Sequence, residues 1–323
     1  MPEYSLDVHL APEDLVAGLI RDVRAGLSAE PKRLPPKYFY DARGSELFEE
    51  ITRLPEYYPT RAERSILEQR ADDIAVASAA DTLVELGSGS SQKTRLLLDG
   101  LARTGTLRRY IPVDVSSTAL EEAMKSLSVD YPELRLHGMV GDFERHLGLI
   151  PSGGRRMVAF LGGTIGNLTA EERARFLTSV RSGLRPGDSF LLGTDLVKEP
   201  GRLVRAYDDL AGVTAEFNRN VLHVLNHSLN ADFDVEAFAH VALWDAEQEW
   251  VEMRLRSTRD QRVTIADLGL VVGFDRGEEL RTEISAKFTR DRIEDELTAA
   301  GFSLAEWWTD PADDFALCLS RSV

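Results

Sequence analysis

Thr82-Leu83-Val84-Glu85-Leu86-Gly87-Ser88-Gly89-Ser90 is the stretch on which the fold turns. Its strand-forming run, Thr82–Leu86, stops at two closely spaced glycines, the signature of a buried strand that bends sharply before a helix. A polar helix is expected before it over 61–77, and another after it over 93–101.

Working outward, strand 110–113 ends in Asp114, and a helix over 117–129 follows with Ser116 or Ser117 as N-cap. Strand 134–140 ends at Gly141-Asp142, strand 157–161 at Gly162-Gly163, and strand 189–193, after the Pro186-Gly187 turn, at Thr194-Asp195. Strands bounded by turn residues and spaced by helices predict a doubly wound parallel sheet. Past Asp195 the rhythm breaks. Residues 196–286 read as helices followed by 238–243 and 250–256, an antiparallel hairpin around Asp245-Ala246-Glu247. Helix 290–300 with Gly301 at its C-cap and strands 302–308 and 315–320 restore the first pattern, the two strands pairing antiparallel at the sheet edge. The expectation is an α/β chain with a doubly wound sheet domain at 61–196 and 287–323. A second, smaller α+β domain is expected at 9–60 and 197–286.

The formal net charge of −16 over 323 residues, with no Lys/Arg-rich run, argues against a nucleic-acid partner. A hydrophobic share of 43% beside 28% charged residues suits a packed core. The first ten residues lack the basic start and apolar block of a secretory signal, and no apolar run has membrane-spanning length. A cytoplasmic monomer without a membrane partner is expected. Cys318 alone can form neither an intrachain disulfide nor a Cys-based zinc site, and its apolar neighbours mark a buried strand thiol. His223 and His227 have helical metal-ligand spacing, but no third ligand or HExxH pattern accompanies them, so no metal is expected.

In an open parallel sheet, ligands bind beyond the strand carboxyl ends. Gly87 and Gly89 let backbone approach a ligand closely. A dinucleotide fingerprint would place glycine at 92, where Gln92 stands, which lowers an NAD oxidoreductase reading. Asp114 can accept from two ribose hydroxyls, while Asp142 and Phe143 offer an acceptor and an apolar wall to adenine. Taken singly, either acid reads more readily as an ordinary helix N-cap or solvated turn residue. As an ordered set on successive strands they resemble the class I S-adenosylmethionine methyltransferases. Lys93 is then either a surface cation or a partner for the methionine carboxylate.

Further motifs surround this set: Arg33-Leu-Pro-Pro-Lys-Tyr-Phe-Tyr-Asp41, Gly44-Ser-Glu-Leu-Phe-Glu-Glu-Ile51 and Leu54-Pro-Glu-Tyr-Tyr-Pro-Thr-Arg61. Gly162-Gly-Thr-Ile-Gly-Asn-Leu168, Phe217-Asn-Arg-Asn220 and Glu283-Ile-Ser-Ala-Lys-Phe288 complete them. Together they resemble the histidine Nα-methyltransferases over essentially the whole chain. The resemblance implies S-adenosylmethionine as cofactor, leaving as S-adenosylhomocysteine, with Gly87, Lys93, Asp114, Asp142 and Phe143 as its contacts. It implies L-histidine as substrate, held at its carboxylate end by Tyr57, Asn167 and Tyr207 and at its imidazole by the segment Glu283, Ile284 and Ser285. Chemically, an amide and two phenols can donate to a carboxylate, while Glu283 accepts from and Ser285 donates to an imidazole.

The resemblance further implies three successive transfers to the α-amine. The product would be Nα,Nα,Nα-trimethylhistidine (hercynine), on the way to ergothioneine. Tyr40 is the candidate for hydrogen-bonding the amine, with proton loss to bulk water as the alternative. Phe217 and the tyrosines can meet the quaternary ammonium by cation–π contact, or simply pack. Ser90 stands where the family pattern has Thr, and Ala286 where Cys is common. A methyltransferase for another small amine or amino acid, and a catalytically silent nucleoside-binding module, are the competing readings.

Overall fold

The computed structural model describes residues 4–89 and 93–323. In chain order its elements are β1 (Tyr4–Val8), α1 (Pro12–Leu27), β2 (Lys32–Arg33), α2 (Ala42–Ile51), α3 (Pro59–Ser78), β3 (Thr82–Leu86), α4 (Thr94–Arg103) and β4 (Arg109–Asp114). Then come α5 (Ser117–Asp130), β5 (Arg135–Val140), α6 (Phe143–His146), β6 (Arg156–Phe160), α7 (Ala170–Ser182), β7 (Ser189–Asp195), α8 (Pro200–Tyr207) and α9 (Val213–Leu229). The last are β8 (Phe238–Asp245), β9 (Trp250–Ser257), β10 (Gln261–Ile265), β11 (Leu270–Phe274), β12 (Glu279–Ala286), α10 (Arg290–Ala299), β13 (Phe302–Thr309) and β14 (Phe315–Ser322). They fall into two compact units, one comprising the residues up to Ala11, Pro59–Leu196 and Phe288–Val323, the other Pro12–Tyr58 and Val197–Lys287.

The first unit is built on an eight-stranded sheet in the order β1-β5-β4-β3-β6-β7-β14-β13. From β1 to β7 the pairings are parallel, while β14 runs antiparallel to both β7 and β13. This is the doubly wound arrangement of a class I methyltransferase, extended by one strand at the β5 edge. β4 and β5 lie on one side of β3 and β6 and β7 on the other, so the strand order reverses there and a crevice opens beyond its carboxyl end. All five residues of β3 are buried, as expected of a strand covered on both faces. Leu83, Tyr110, Met157, Leu191 and Leu317 carry the core across the sheet.

Two features of this unit escape the sequence pattern. Residues 9–11, expected in the smaller domain, belong with the sheet, because β1 pairs with β5 from Tyr4–Leu136 to Val8–Val140. As an exposed edge strand, β1 lacks the continuous apolar run that identifies the central strands. Away from the sheet, Arg173 is buried on α7, forks onto Glu296 of α10 with both bonds at 2.8 Å, and donates to the Leu168 carbonyl.

The second unit holds a four-stranded sheet, β2-β12-β9-β8, a separate β10-β11 hairpin, and helices α1, α2, α8 and α9. The expected hairpin is present as β8 and β9, paired antiparallel from Phe238–Ser257 to Asp245–Trp250. Strand β12 lies inside this sheet, antiparallel to β9 and parallel to β2, with a register shift between Arg281 and Glu283. Beyond that bulge the pleat is regular, so Glu283 and Ser285 share one face and Ile284 takes the other. Phe39, Phe217, Leu222, Phe238, Met253 and Leu280 form much of the core.

Candidate functional site

The sheet unit presents its candidate residues at the strand ends nearest the switch point. Gly87 and Gly89 have φ of +69° and +49°, a left-handed region that favours glycine. A Cβ at either position would meet nothing within 4 Å among the described residues, which leaves backbone free to approach a ligand from that side. Ser90 and Gln92 lie outside the described residues. Asp114 accepts from the Gly89 amide through one carboxylate oxygen and from the Ser116 amide through the other, each at 3.0 Å. Each oxygen keeps a lone pair, enough for two ribose hydroxyls. Ser88 Oγ, buried in the same loop, has no hydrogen-bond partner among the described residues. The Phe143 ring, half-buried beyond β5, packs edge-on against Phe160 at 5.1 Å and Phe176 at 5.6 Å, with Asp142 beside it.

Two carboxylates near the loop were not anticipated. Glu63 of α3 is fully buried, accepts from the Gly162 amide at 2.6 Å and pairs with the Lys93 ammonium. Lys93 therefore has a protein partner, and its remaining N–H donors are what it could offer a ligand. Glu85 is buried and accepts from the Thr94 and Tyr110 hydroxyls, both at 2.5 Å. Burial pushes its carboxyl up to about 7 against the pull of those two hydrogen bonds. These residues suit S-adenosylmethionine: an open glycine turn, a ribose acid with spare lone pairs, an unpaired hydroxyl and an aromatic wall.

The second unit gathers most of the remaining candidates. Tyr207, at the end of α8, donates to Ser285 Oγ at 2.7 Å. Glu283 lies one pleat before Ser285, and burial raises its carboxyl to about 7 although the Lys287 charge opposes the rise. Tyr40 keeps 48% of its surface open, yet its phenol pKa is raised, first by burial and then by the charges of Glu283 and Tyr207. Its ring meets Phe48 at 5.5 Å and Phe217 at 5.6 Å, and Phe48 meets Tyr57, which meets Tyr207 at 6.4 Å. Tyr40, Tyr57, Tyr207, Phe217, Glu283 and Ser285 thus converge. Ile284 does not join them: its side chain is buried on the opposite face of β12, so it can offer the site only backbone. Asn167 belongs to the sheet unit, at the end of the 3₁₀ turn Thr164–Asn167 that follows β6.

Positioning groups complete the picture, and sequence reasoning gave them no role. Asn220 on α9 donates to the Phe39 carbonyl at 3.3 Å and to Asp41 at 2.8 Å, and Asp41 caps α2 through the Gly44 amide, which fixes the backbone on both sides of Tyr40. Asn218 accepts from Thr282 at 2.6 Å and donates to His240 Nδ1 at 2.8 Å. With Nδ1 accepting, His240 donates through Nε2 to the Tyr207 carbonyl at 2.8 Å, and burial lowers its pKa, favouring the neutral ring. His223 and His227 are exposed on α9, and no cluster of three metal-ligating side chains occurs among the described residues. Cys318 is buried in β14, its thiol pushed up to about 12 by burial. No helix is long and apolar enough to cross a membrane among the described residues.

Residues 19–322 match the family model described as histidine-specific methyltransferase, SAM-dependent. A histidine N-alpha-methyltransferase of Mycolicibacterium smegmatis is 56% identical over 316 residues, 98% of both chains. A protein of the same name from Mycobacterium tuberculosis is 55% identical over 312 residues, 97% of both. Ergothioneine biosynthesis protein 1 of Neurospora crassa is 31% identical over 289 residues, covering 86% of this chain and 32% of that protein. With a cofactor-type loop at the switch point of its sheet and this extent of similarity, the chain belongs to the S-adenosylmethionine-dependent, histidine-specific methyltransferase family.

Proposed function

We propose that the enzyme methylates the α-amino nitrogen of L-histidine three times, giving Nα,Nα,Nα-trimethylhistidine for ergothioneine biosynthesis. The observation that carries this reading is the pair Glu283 and Ser285 on one face of β12, an acceptor and a donor as an imidazole needs, with aromatic rings beside them. S-adenosylmethionine supplies a methyl group on a sulfonium, an electrophile that needs no metal. In the sheet unit, Asp114 takes the ribose hydroxyls, Asp142 and Phe143 take the adenine, Gly87 gives backbone access, and Lys93 meets the methionine carboxylate alongside Glu63.

In the second unit, Glu283 accepts from one ring nitrogen and Ser285 donates to the other. Tyr57 donates to the carboxylate, while Tyr207, whose one proton goes to Ser285, borders that end with its ring. In the sheet unit, Asn167 offers its amide to a carboxylate. Tyr40, held protonated by its raised pKa, accepts from the amine and steadies its lone pair while the displaced proton leaves to water. As methyls accumulate, the faces of Tyr40, Phe48 and Phe217 stabilise the growing fixed charge by about 0.5–2 kcal/mol.

Incubation with histidine and cofactor, followed by mass spectrometry, tests the reading. Three successive methyl increments, located on the amine by fragmentation, are expected. Ring methylation, or turnover of another amine in preference to histidine, would refute it.

A further inference from the structure

Lys287 is fully buried just past the end of β12, one pleat beyond Ser285. Its ammonium donates to Ser285 Oγ at 2.8 Å and to Tyr207 Oη at 2.9 Å, and lies 4.8 Å from the Tyr207 ring centroid. The Tyr207 hydroxyl donates to the same Ser285 oxygen at 2.7 Å. A serine oxygen has two lone pairs and one proton. Both lone pairs are committed here, one to Lys287 and one to Tyr207, so the only capacity left to Ser285 is to donate.

Building on the histidine reading, we propose that Lys287 is a positioning residue that makes the pocket demand one unprotonated ring nitrogen. With Ser285 an obligate donor, the imidazole must present a lone pair to Ser285 and its N–H to Glu283. An imidazolium would set an N–H against the Ser285 proton and is rejected. The neutral tautomer with its proton on the Ser285 side is rejected for the same reason. The positive charge of Lys287 acts in the same direction. A serine without this neighbour could turn its hydroxyl and accept, and the ring would lose its imposed proton pattern.

Among the described residues, the titratable groups that face the site include Glu283 and Lys287 from β12 and its end, Tyr207 from α8, Tyr40 from the segment before α2, and Tyr57 from the segment after it. From β8, His240 meets the Tyr207 carbonyl, Asn218 and, at 3.9 Å, the Asp208 carboxylate. From β9, Glu252 lies opposite Ile284, engaged by Trp250, Arg254 and Arg281. Because Glu283 itself titrates near 7, a rate profile would mix its proton with that of the ring. Ring nitrogen shifts separate the two.

The experiment is a ¹⁵N NMR titration of ring-labelled L-histidine bound to the full chain with S-adenosylhomocysteine, from about pH 5.5 to 8.5, for wild type and Lys287→Met. Wild type is expected to hold one protonated and one bare nitrogen, with a ring pKa at least about one unit below the free value near 6.5. Lys287→Met should raise that pKa by about one unit or more, and the effect should shrink by at least about half in a Ser285→Ala background. A merely structural lysine would lower affinity without moving the ring's proton pattern. Unchanged ring shifts in Lys287→Met, or an imidazolium bound to wild type, would overturn the proposal, and the wild-type arm decides even where the variant does not fold. If wild type binds no histidine but binds another amine, the histidine reading itself falls, and this inference with it.

Discussion

At Glu283 the histidine reading makes its sharpest demand. Glu283→Ala removes the acceptor for the imidazole N–H and should weaken histidine binding about 100-fold or more while leaving S-adenosylmethionine affinity unchanged, as calorimetry with each ligand would show. Tyr40→Phe should lower kcat by about 10- to 100-fold without abolishing turnover, since the phenol steadies the amine while water takes the proton. Abolition would make the phenol itself the proton acceptor, and an unchanged kcat would remove Tyr40 from the reaction. Glu85 has a different consequence. Its carboxyl is raised from 4.5 to about 7, so the folded state binds its proton more tightly than the unfolded chain. Stability contributed this way is full below 4.5 and is lost as pH rises to about 7, amounting to about 3 kcal/mol at most. Glu85→Gln should flatten that fall in urea titrations across the same pH window. Among these residues, the sequence announces Glu283 and Tyr40 through motif resemblance alone, because a lone acid on a strand carries no local signal. Lys287 and Asn218 lay inside quoted motifs, yet Tyr207, which meets Lys287, and Thr282 and His240, which meet Asn218, come from other elements, and only folding joins them.

Elements show where pattern reading succeeds and where it fails. Strands β3 to β7 were legible because burial on both faces imposes continuous apolar runs with turn residues at each end. The edge strand β1 and the bulged β12 were not, since one exposed face or one extra residue breaks the period that identifies a strand. Helix α2 illustrates a constraint that sequence does not display. A Cβ on Gly44 would fall 1.7 Å from the Phe39 carbonyl oxygen and 3.0 Å from Asn220 Nδ2, so no side chain fits between α2 and the strap that carries Tyr40. Gly44→Ala should cost about 1–3 kcal/mol in chemical denaturation and depress kcat with it, because the strap must shift. On the other unit, Arg173→Ala leaves Glu296 without its fork and the Leu168 carbonyl without a donor, and should cost about 3–5 kcal/mol by the same measurement.

Over the whole molecule, the net charge of −16 repels itself, and raising salt from about 0.01 to 0.15 M shortens the screening length from about 30 to 8 Å. The thermal midpoint should therefore rise across that range, and a fall would mean that attractive ion pairs outweigh the repulsion. The chain's discontinuous path also carries a consequence for its synthesis. β14 fits between β7 and β13, yet the residues that separate it from β7 in sequence include all of 197–287. A growing polypeptide must therefore expose the open flank of β7 while more than a quarter of the enzyme is still being translated. During that interval the unpaired edge is a site for wrong partners. The inserted unit closes first, when β12 emerges to fill the gap between β2 and β9, so the strand bearing Glu283 and Ser285 arrives at the ribosome exit before the sheet beneath the cofactor loop is complete.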